Sequence, residues 1–490
     1  MKKITINIAI TKLVFPLLFL VGLSACKKDF LDTVPQTTVA ESDAFSSAAK
    51  ITAHVNNLYK QLQSPTFYGG RYLIFNEQRA DEFGQNDGNA AAGSAVWNQN
   101  VASTNDFVNN VWSAGYTAIN ASNILISQLG KSTLVSDSLK RNYTAEAKFV
   151  RAISYLSLIQ TYAKPYALDK NGLGVPLRLT PITSSGFNDL ARSSINDVYA
   201  QIIKDLNEAE SDLPTSYASA SLNSSRAHKS TAIALKTRVY LITGDFEKVI
   251  SEASKIVSLA SPYQYSAGAV THKLELNIAA VFSGNYIGSE SIFSIPFANS
   301  TTETPPTQSS LAFTYLSQPI MFLAANGIVS NPALNTAADA RSGLIATNAA
   351  KQKVLKKFAI TTAPFRDYVP VIRYAEVLLN LAEAAANTGD LVTGSSLLKA
   401  VRNRSNPTYT FPETEIDTKD ALINTILLER RIELVGEGFR LGDLQRKLLS
   451  LPAKTGSIGT APIVNVSASN YIWPIPSGEL SANKLIVPNP

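Results

Sequence analysis

The chain has 490 residues, of which 45% are hydrophobic and 17% are charged, so it can bury a large core. Its formal net charge of +6 includes three lysines within the first 25 residues, which leaves +3 for the remainder. A nearly neutral chain without a cluster of lysine and arginine gives little electrostatic support to nucleic-acid binding, and we predict no nucleic-acid partner.

Residues 1–25 have the composition of a signal peptide. A basic start is followed by an apolar run at 13–21, which is too short for an ordinary membrane-spanning helix and contains Pro16. The run ends at Leu23-Ser24-Ala25-Cys26, which resembles the lipobox cleaved by the bacterial lipoprotein signal peptidase. Cys26 is the only cysteine, so no intramolecular disulfide is possible. We predict that residues 1–25 are removed, that Cys26 is lipidated and anchors the protein to a membrane, and that residues 26–42 are a flexible tether.

Helical periodicity begins after Ser42 and recurs in three segments. In each segment, apolar residues spaced by three and four positions define one buried helix face. Pro214 ends the third helix. The three stripes are Ala44, Ala48, Ile51, Val55, Leu58 and Leu62; Phe107, Val111, Ala114, Ala118, Ala121, Leu125 and Leu129; and Ile195, Val198, Ile202, Leu206, Ala209 and Leu213.

The tripeptide Thr-Gly-Asp interrupts a helical pattern twice, at 243–245 and at 388–390. Glycine ends a helix in the left-handed conformation and aspartate caps the next helix, so each tripeptide predicts a tight helical hairpin. Paired helices of this kind are tetratricopeptide-like units. We therefore predict a mainly α fold of tetratricopeptide-like hairpins with long irregular loops and minor β structure.

Residues 64–104, 262–345 and 447–490 show few long helical stripes. Within the second segment, residues 291–297 alternate like a strand, and 301–306 have a loop composition. A helical scaffold with long loops usually carries its function on the loops.

Nine short segments, in this order and spacing, resemble the SusD/RagB family of outer-membrane nutrient-binding lipoproteins from Bacteroidetes. The longest of them lies at 370–380, and the set spans nearly the whole chain after residue 25. The segments are CKKDFLD at 26–32, EAKFVRA at 146–152, GVPL at 174–177, RVYL at 238–241, PVIRYAEVLLN at 370–380, ERRIEL at 429–434, GFR at 438–440, DL at 443–444 and WPIP at 473–476.

The resemblance implies a single SusD-like domain over residues 43–490, with four tetratricopeptide-like units and an irregular face that binds glycan or, in some members, peptide. It also implies a partner, a SusC-like TonB-dependent outer-membrane barrel on which the protein sits as a lid. The implied location is the outer membrane, lipid-anchored at the cell surface. Many surface-exposed members carry an acidic run after the cysteine, whereas this chain has Lys27-Lys28-Asp29. The sequence therefore leaves two locations for the anchor, the periplasmic leaflet and the outer leaflet of the outer membrane.

The sequence singles out no catalytic residue, metal or cofactor. The charged cluster near 429–443 could be taken for a catalytic acid pair, but carboxylates neutralised by arginine have lowered pKa values and make poor general acids. We interpret it as ion pairs that join helices. The same interpretation applies to Arg373, Glu376 and Glu383. His54, His228 and His272 are scattered and have no paired metal-ligand spacing.

Candidate ligand contacts combine flat aromatic rings with amides and carboxylates, because a sugar offers apolar faces ringed by hydroxyl groups. The first irregular segment supplies most of them, and two tyrosines of the second could also stack on a ligand. Trp112 lies inside a predicted helix and is assigned to the core. The candidates are Arg79, Asp81, Glu82, Trp97, Asn98, Asn100, Tyr286 and Tyr315.

The sequence favours a non-enzymatic lipoprotein that captures a nutrient, most simply an oligosaccharide, and delivers it to the barrel. Three alternatives stay open: a secreted helical glycoside hydrolase, a SusD-like protein that binds peptide, and a tetratricopeptide scaffold that binds only protein.

Overall fold

Helices joined by irregular segments form the scaffold of the described part of the chain. The computed structural model describes residues 41–184, 186, 188–298 and 303–490. The helices in chain order are α1 Glu41–Ala44, α2 Ala48–Leu62, α3 Arg71–Arg79, α4 Ser94–Trp97, α5 Asp106–Lys131, α6 Asp137–Tyr162, α7 Ile195–Asp212, α8 Ala220–Ser225, α9 Lys229–Thr243, α10 Phe246–Ala253, α11 Ile278–Val281, α12 Tyr374–Thr388, α13 Leu391–Ser405, α14 Lys419–Leu434, α15 Arg440–Arg446 and α16 Ser477–Ala482.

The chain divides into two units, residues 1–51 and 52–490. In the described part of the first unit, an exposed ion pair of 3.0 Å joins Lys50 to Asp43. The predicted signal peptide, Cys26 and nearly all of the predicted tether lie outside the described residues. Within the described ranges, no helix combines the length and the apolar character needed to cross a membrane.

From Ala48 onward the first predicted stripe lies in α2, and the other two lie in α5 and α7, which confirms them as helices. Ala44 lies in the separate short helix α1, and Leu213 directly follows the end of α7. Side chains cap the starts of α5 and α7: Asn105 accepts a hydrogen bond from the backbone of Phe107 at 2.9 Å, and Ser194 accepts one from Asp197 at 3.0 Å. The helix α6 packs against both α5 and α7 and buries almost every side chain from Ala145 onward. This part of the core is therefore built from neighbouring helices in the chain.

Both Thr-Gly-Asp hairpins form as predicted. Gly244 ends α9 with φ 76°, and Gly389 ends α12 with φ 95°, a region that favours glycine. Asp245 then caps α10 through the backbone N–H of Lys248, and Asp390 caps α13 through that of Thr393 at 3.0 Å. The helix α12 packs against α10, α13 and α14, which stacks the hairpins as in a tetratricopeptide array.

Short strands supply the minor β structure. A four-stranded sheet has the order β1-β5-β7-β6, and β1 pairs with β5 antiparallel, with Phe83 opposite Leu323. The strand predicted at 291–297 is β4, which pairs with β8. The strands are β1 Phe83–Gln85, β2 Tyr265–Ala267, β3 Val270–His272, β4 Ser291–Ile295, β5 Met321–Leu323, β6 Ile345–Thr347, β7 Lys353–Leu355, β8 Val369–Arg373, β9 Lys454–Gly456 and β10 Gly459–Ala461.

One helix in the first irregular segment was not predicted. The nine residues of α3, Arg71–Arg79, bury eight side chains, including those of Arg71, Glu77, Gln78 and Arg79. Because polar residues are buried on this helix, its sequence shows no alternation of apolar and polar faces from which a helix could be inferred.

The predicted ion pairs of the charged cluster are confirmed. Glu433 of α14 lies 3.0 Å from Arg373, 2.6 Å from Arg404 and 3.1 Å from Arg341. Burial alone would raise the pKa of Glu433, but the three guanidinium groups hold it well below its usual range. These groups join α14 to β8, α13 and the segment before β6, which is a structural role.

Candidate functional site

Two of the predicted aromatic contacts are buried. Trp97 and Tyr315 have no exposed surface. The Trp97 indole N–H donates to the carbonyl of Phe83 in β1 at 2.9 Å, and the Tyr315 ring stacks on the Phe83 ring at a centroid distance of 5.1 Å. The expectation that these rings are exposed is therefore wrong, because contacts with Phe83 of β1 bury both of them. In this conformation neither ring has a face on which a ligand could stack.

The three predicted charged contacts form bonds within the protein. Arg79 is buried and donates to the carbonyl of Tyr471 at 2.8 Å, and its burial lowers its pKa to about 10. Asp81 receives two hydrogen bonds from Arg440, at 2.8 and 3.0 Å, and Glu82 lies 2.7 Å from Arg431. These groups join the end of α3 to α14 and α15. Only Asp81 is partly exposed.

The remaining predicted contacts lie nearer to solvent. Asn98 is half-buried at the end of α4, and Asn100 is exposed two residues later. Tyr286 is half-buried beside Tyr368, with ring centroids 6.3 Å apart. None of the eight predicted residues lines the cleft described next.

A polar cleft of about 700 Å³ lies where three irregular segments meet the turn between β6 and β7. This volume is within the ~300–1,000 Å³ typical of small-ligand sites. Amides are the commonest side chains in the wall, and we refer to the site as the amide cleft. Its lining residues are Asn86, Asp87, Gly88, Gln308, Phe313, Gln318, Pro319, Ile320, Asn348, Ala350, Gln352 and Ser457.

Backbone hydrogen bonds position the loops of the amide cleft. Asn86, which follows β1 directly, donates its N–H to the carbonyl of Ile320 at 2.8 Å. Ser457, in the turn between β9 and β10, donates to the carbonyl of Gln85 at 2.8 Å. In the turn from β6 to β7, the Asn348 side chain accepts the N–H of Gln352 at 2.9 Å. The cleft wall is thus an extension of the sheet.

A closed network of side chains joins three of these loops. Asn86 Nδ2 donates to Gln352 Oε1 at 3.0 Å, and Gln352 Nε2 donates back to Asn86 Oδ1 at 2.7 Å. Asn86 Nδ2 also reaches the carbonyl of Pro319, Gln352 Nε2 reaches Ser457 Oγ, and Asn348 Nδ2 donates to Gln352 Oε1. Both N–H groups of Asn86 and of Gln352 are therefore used within the protein. These two amides hold the wall together.

The other polar residues of the wall keep hydrogen-bonding groups that are available to a ligand. Gln318 is exposed, and no hydrogen bond of its side chain is found among the described residues. Gln308 accepts from Arg71 at 3.3 Å through Oε1, which leaves its amide nitrogen for a ligand. Asp87 is half-buried and accepts from the backbone and side chain of Asn89, at 2.9 and 2.7 Å. The cleft can thus donate hydrogen bonds from amides and accept them at one carboxylate.

One aromatic ring lies in the wall. Phe313 is half-buried, and its ring meets that of Phe365 edge-on at 5.4 Å. A fixed and partly exposed ring beside amides is the combination that suits a sugar, with its apolar faces and peripheral hydroxyl groups. Phe313 was not among the predicted contacts, and Asn348, Ala350 and Gln352 lie outside the three predicted irregular segments. The turn signal Asn86-Asp87-Gly88, directly after a strand, could have indicated where one wall lies.

A buried lysine lies in β9, the strand that precedes Ser457. Lys454 of β9 donates to the carbonyls of Gln78 and Ala80 at the end of α3, and its ammonium lies 5.6 Å from the centre of the Trp97 ring. Burial lowers the pKa of Lys454 to about 7. Lys454 and Trp97 therefore fix the strands from which the cleft loops emerge.

Two of the three histidines are close together, contrary to the scatter expected from the sequence. The rings of His228 and His272 stack with centroids 5.6 Å apart, and both are buried. Burial lowers their pKa values to about 4 and about 3. Within the described part of the chain, no group of three or more His, Cys, Asp or Glu is placed to hold a metal ion.

Two family sequence models match the chain. One, described as starch-binding and associating with the outer membrane, matches residues 29–241, and the other, described as the SusD family, matches residues 354–490. Among curated proteins, SusD-like protein P2 of Formosa agariphila is 26% identical over 96% of this chain and 97% of its own length.

Solved structures of SusD-like proteins are also similar to this chain. A SusD superfamily protein from Bacteroides fragilis is 33% identical, with a TM-score of 0.81 over 91% of this chain and 100% of that protein. A second structure, described as a laminarin binding SusD-like protein, is 22% identical, with a TM-score of 0.68 over 91% of this chain and 99% of that one, and shares the fold. The sequence segments, the stacked helical hairpins and this near full-length similarity show that the chain belongs to the SusD family.

Proposed function

We propose that this protein binds an oligosaccharide in the amide cleft and delivers it to a SusC-like TonB-dependent outer-membrane transporter. The observation that carries the proposal is the cleft itself, in which a preorganised amide wall surrounds the half-buried ring of Phe313. A wall whose amides are already fixed loses little conformational freedom when a ligand binds.

Two comparisons support a glycan as the ligand. The family model that matches residues 29–241 is described as starch-binding, and one structural relative is described as laminarin binding. The chemistry of the cleft agrees with this, because amide, carboxylate and hydroxyl groups exchange readily for the water around sugar hydroxyls, and the Phe313 ring can cover a C–H face.

We further propose that Cys26 carries the lipid that holds the protein at the outer membrane. The lipobox-like Leu23-Ser24-Ala25-Cys26 supports this, and the family description places members in association with the outer membrane. Labelling cells with an alkyne analogue of palmitate tests it: the wild type should be labelled, and Cys26→Ser should not. Labelling of the Cys26→Ser protein would rule out this anchor.

We infer that the protein binds its ligand without catalysing a reaction. The buried carboxylates of α14 and α15, Glu429, Glu433 and Asp443, all pair with arginines. Such pairing holds the pKa of Asp443 well below its usual range, although burial alone would raise it, so Asp443 is a poor proton donor near neutral pH.

Isothermal titration against a panel of oligosaccharides and peptides tests the proposal, with thin-layer chromatography of each mixture as the check for hydrolysis. We expect at least one oligosaccharide to bind without turnover. Gln318→Ala should weaken that binding about three- to tenfold, since it removes an exposed amide with about 0.5–1.5 kcal/mol of net hydrogen bonding. Asn100→Ala, an exposed amide outside the cleft, is the matched control. Binding of peptides alone, or turnover of a glycan, would overturn the proposal.

A further inference from the structure

The amide cleft has one charged lining residue among those described, and that residue is an acid. Asp87 is half-buried, and no lysine, arginine or histidine nitrogen of the described residues lies within 4.0 Å of its carboxylate. Two neighbouring carboxylates behave differently: Asp81 pairs with Arg440, and Glu82 pairs with Arg431. The negative charge of Asp87 is therefore not cancelled by an ion pair and acts on whatever enters the cleft.

On the premise that the proposed glycan binding holds, we propose that the amide cleft selects neutral oligosaccharides and rejects those that carry carboxylate or sulfate groups. An ionised carboxylate accepts hydrogen bonds from sugar hydroxyls and repels another anion at the same distance. Amides bind hydroxyl groups but cannot compensate the charge of a uronate.

Two cations close to lining residues, Arg71 and Lys351, do not provide an anion site in the wall. Arg71 reaches Gln308 from behind, but it is 6% exposed, and the same nitrogen, Nη2, donates to the carbonyl of Ala91 at 2.7 Å. It orients the Gln308 amide and is shielded by it. Lys351 precedes Gln352 in the turn between β6 and β7, is exposed, and is not a lining residue. A site built for anionic glycans would place arginine or lysine in the wall itself.

Matched ligand pairs isolate the effect of charge. Hexaoses of α-1,4-glucan, β-1,3-glucan, β-1,4-glucan and β-1,4-mannan would each be titrated beside the same sugar oxidised at C6 to the uronate. The protein variants are wild type, Asp87→Asn, and Asp169→Asn, which removes an equal charge at an exposed position outside the cleft. The ratio of the two dissociation constants within a pair is the measured quantity. Repeating the titration at low salt and at 0.5 M salt tests screening, since the Debye length is about 8 Å at 0.15 M.

We expect the oxidised partner of any hexaose that binds to bind at least tenfold more weakly to the wild type. Asp87→Asn should reduce that ratio at least threefold, high salt should reduce it as well, and Asp169→Asn should leave it unchanged. Equal or tighter binding of the oxidised sugar, or an unchanged ratio in Asp87→Asn, overturns charge selection while leaving glycan binding in place. Failure of both members of every pair to bind, with a peptide bound instead, overturns the proposed function and charge selection together.

Discussion

Asn86 and Gln352 lie 266 positions apart in the chain, yet their side-chain amides exchange two hydrogen bonds, of 3.0 and 2.7 Å. The pair joins the loop after β1 to the turn between β6 and β7. It is the link that makes one wall from segments which are remote in sequence, and the proposed glycan site depends on it.

Asn86→Ala should therefore disrupt the wall. It leaves the amide of Gln352 without its reciprocal partner and the carbonyl of Pro319 without its donor. We expect the free energy of unfolding to fall by about 1–3 kcal/mol, as for other unsatisfied half-buried groups, and glycan affinity to fall more than tenfold. Urea unfolding and calorimetric titration measure the two effects. Full affinity in Asn86→Ala would mean that the ligand binds elsewhere.

Substitutions of Trp97 distinguish a role in stabilising the fold around the cleft from direct contact with the glycan. Trp97→Phe removes the hydrogen bond to Phe83 and should lower stability, while changing glycan affinity less than threefold, because the ring does not face the cleft. Trp97→Ala should cost about 3–5 kcal/mol of stability. The matched control is Trp112→Phe, which alters another buried tryptophan that donates to Glu479. If Trp97→Phe abolished binding without a loss of stability, the ring would be a ligand contact.

The helical scaffold was predictable because its signals are local. Apolar stripes, a glycine that ends a helix and an aspartate that caps the next all act within a few residues, and α9 to α10 and α12 to α13 form as expected. The ion pairs of Glu433 were predictable too, since arginines and acids at helical spacing seldom remain unpaired when buried.

The individual site residues were not predictable, for a physical reason. Whether an aromatic ring in an irregular segment is exposed depends on contacts with residues elsewhere in the chain, and Trp97 and Tyr315 are both buried against Phe83 of β1. The cleft lining comes from four separate stretches of the chain, and one of them, residues 348–352, lies outside the predicted irregular segments. A sequence pattern does not show which side chains meet across such stretches.

The raised pKa of Glu77 predicts how the stability of the protein depends on pH. Glu77 is fully buried in α3, accepts the N–H of Gly438 at 2.7 Å, and has its pKa raised by burial from 4.5 to about 8. Between these values the unfolded chain loses a proton that the folded protein keeps, so the contribution of Glu77 to stability is highest below pH 4.5 and falls as pH rises towards 8. Glu77→Gln cannot titrate, and its stability relative to wild type should increase by more than about 1 kcal/mol from pH 5 to pH 8.

Urea unfolding at several pH values gives this difference curve. Glu413→Gln, which removes an exposed carboxylate, is the matched control over the same range. A flat curve for Glu77→Gln would show that Glu77 is ionised in the folded protein.

Arg373 tests the buried ion pairs. It bridges Glu290, Glu433 and Glu437, and Arg373→Met leaves these acids with fewer partners. We expect a loss of about 3–5 kcal/mol in the free energy of unfolding, as when one partner of a buried pair is removed. Lys50→Met breaks the exposed pair with Asp43 and should cost about 0–1 kcal/mol. Equal effects of the two substitutions would refute a structural role for the buried cluster.

The most direct test of the amide cleft as the glycan site is calorimetric titration of a Gly88→Trp variant with an oligosaccharide that binds the wild type. Gly88 lines the cleft, and a Cβ there would meet only Ile458 Cγ2 within 4 Å, at 3.6 Å, so a side chain can be attached at this position without a backbone clash. Gly130→Trp adds the same ring at a helical position with open space around it. We predict that Gly88→Trp lowers affinity at least tenfold while Gly130→Trp has no effect. Wild-type affinity in a folded Gly88→Trp protein would contradict the assignment.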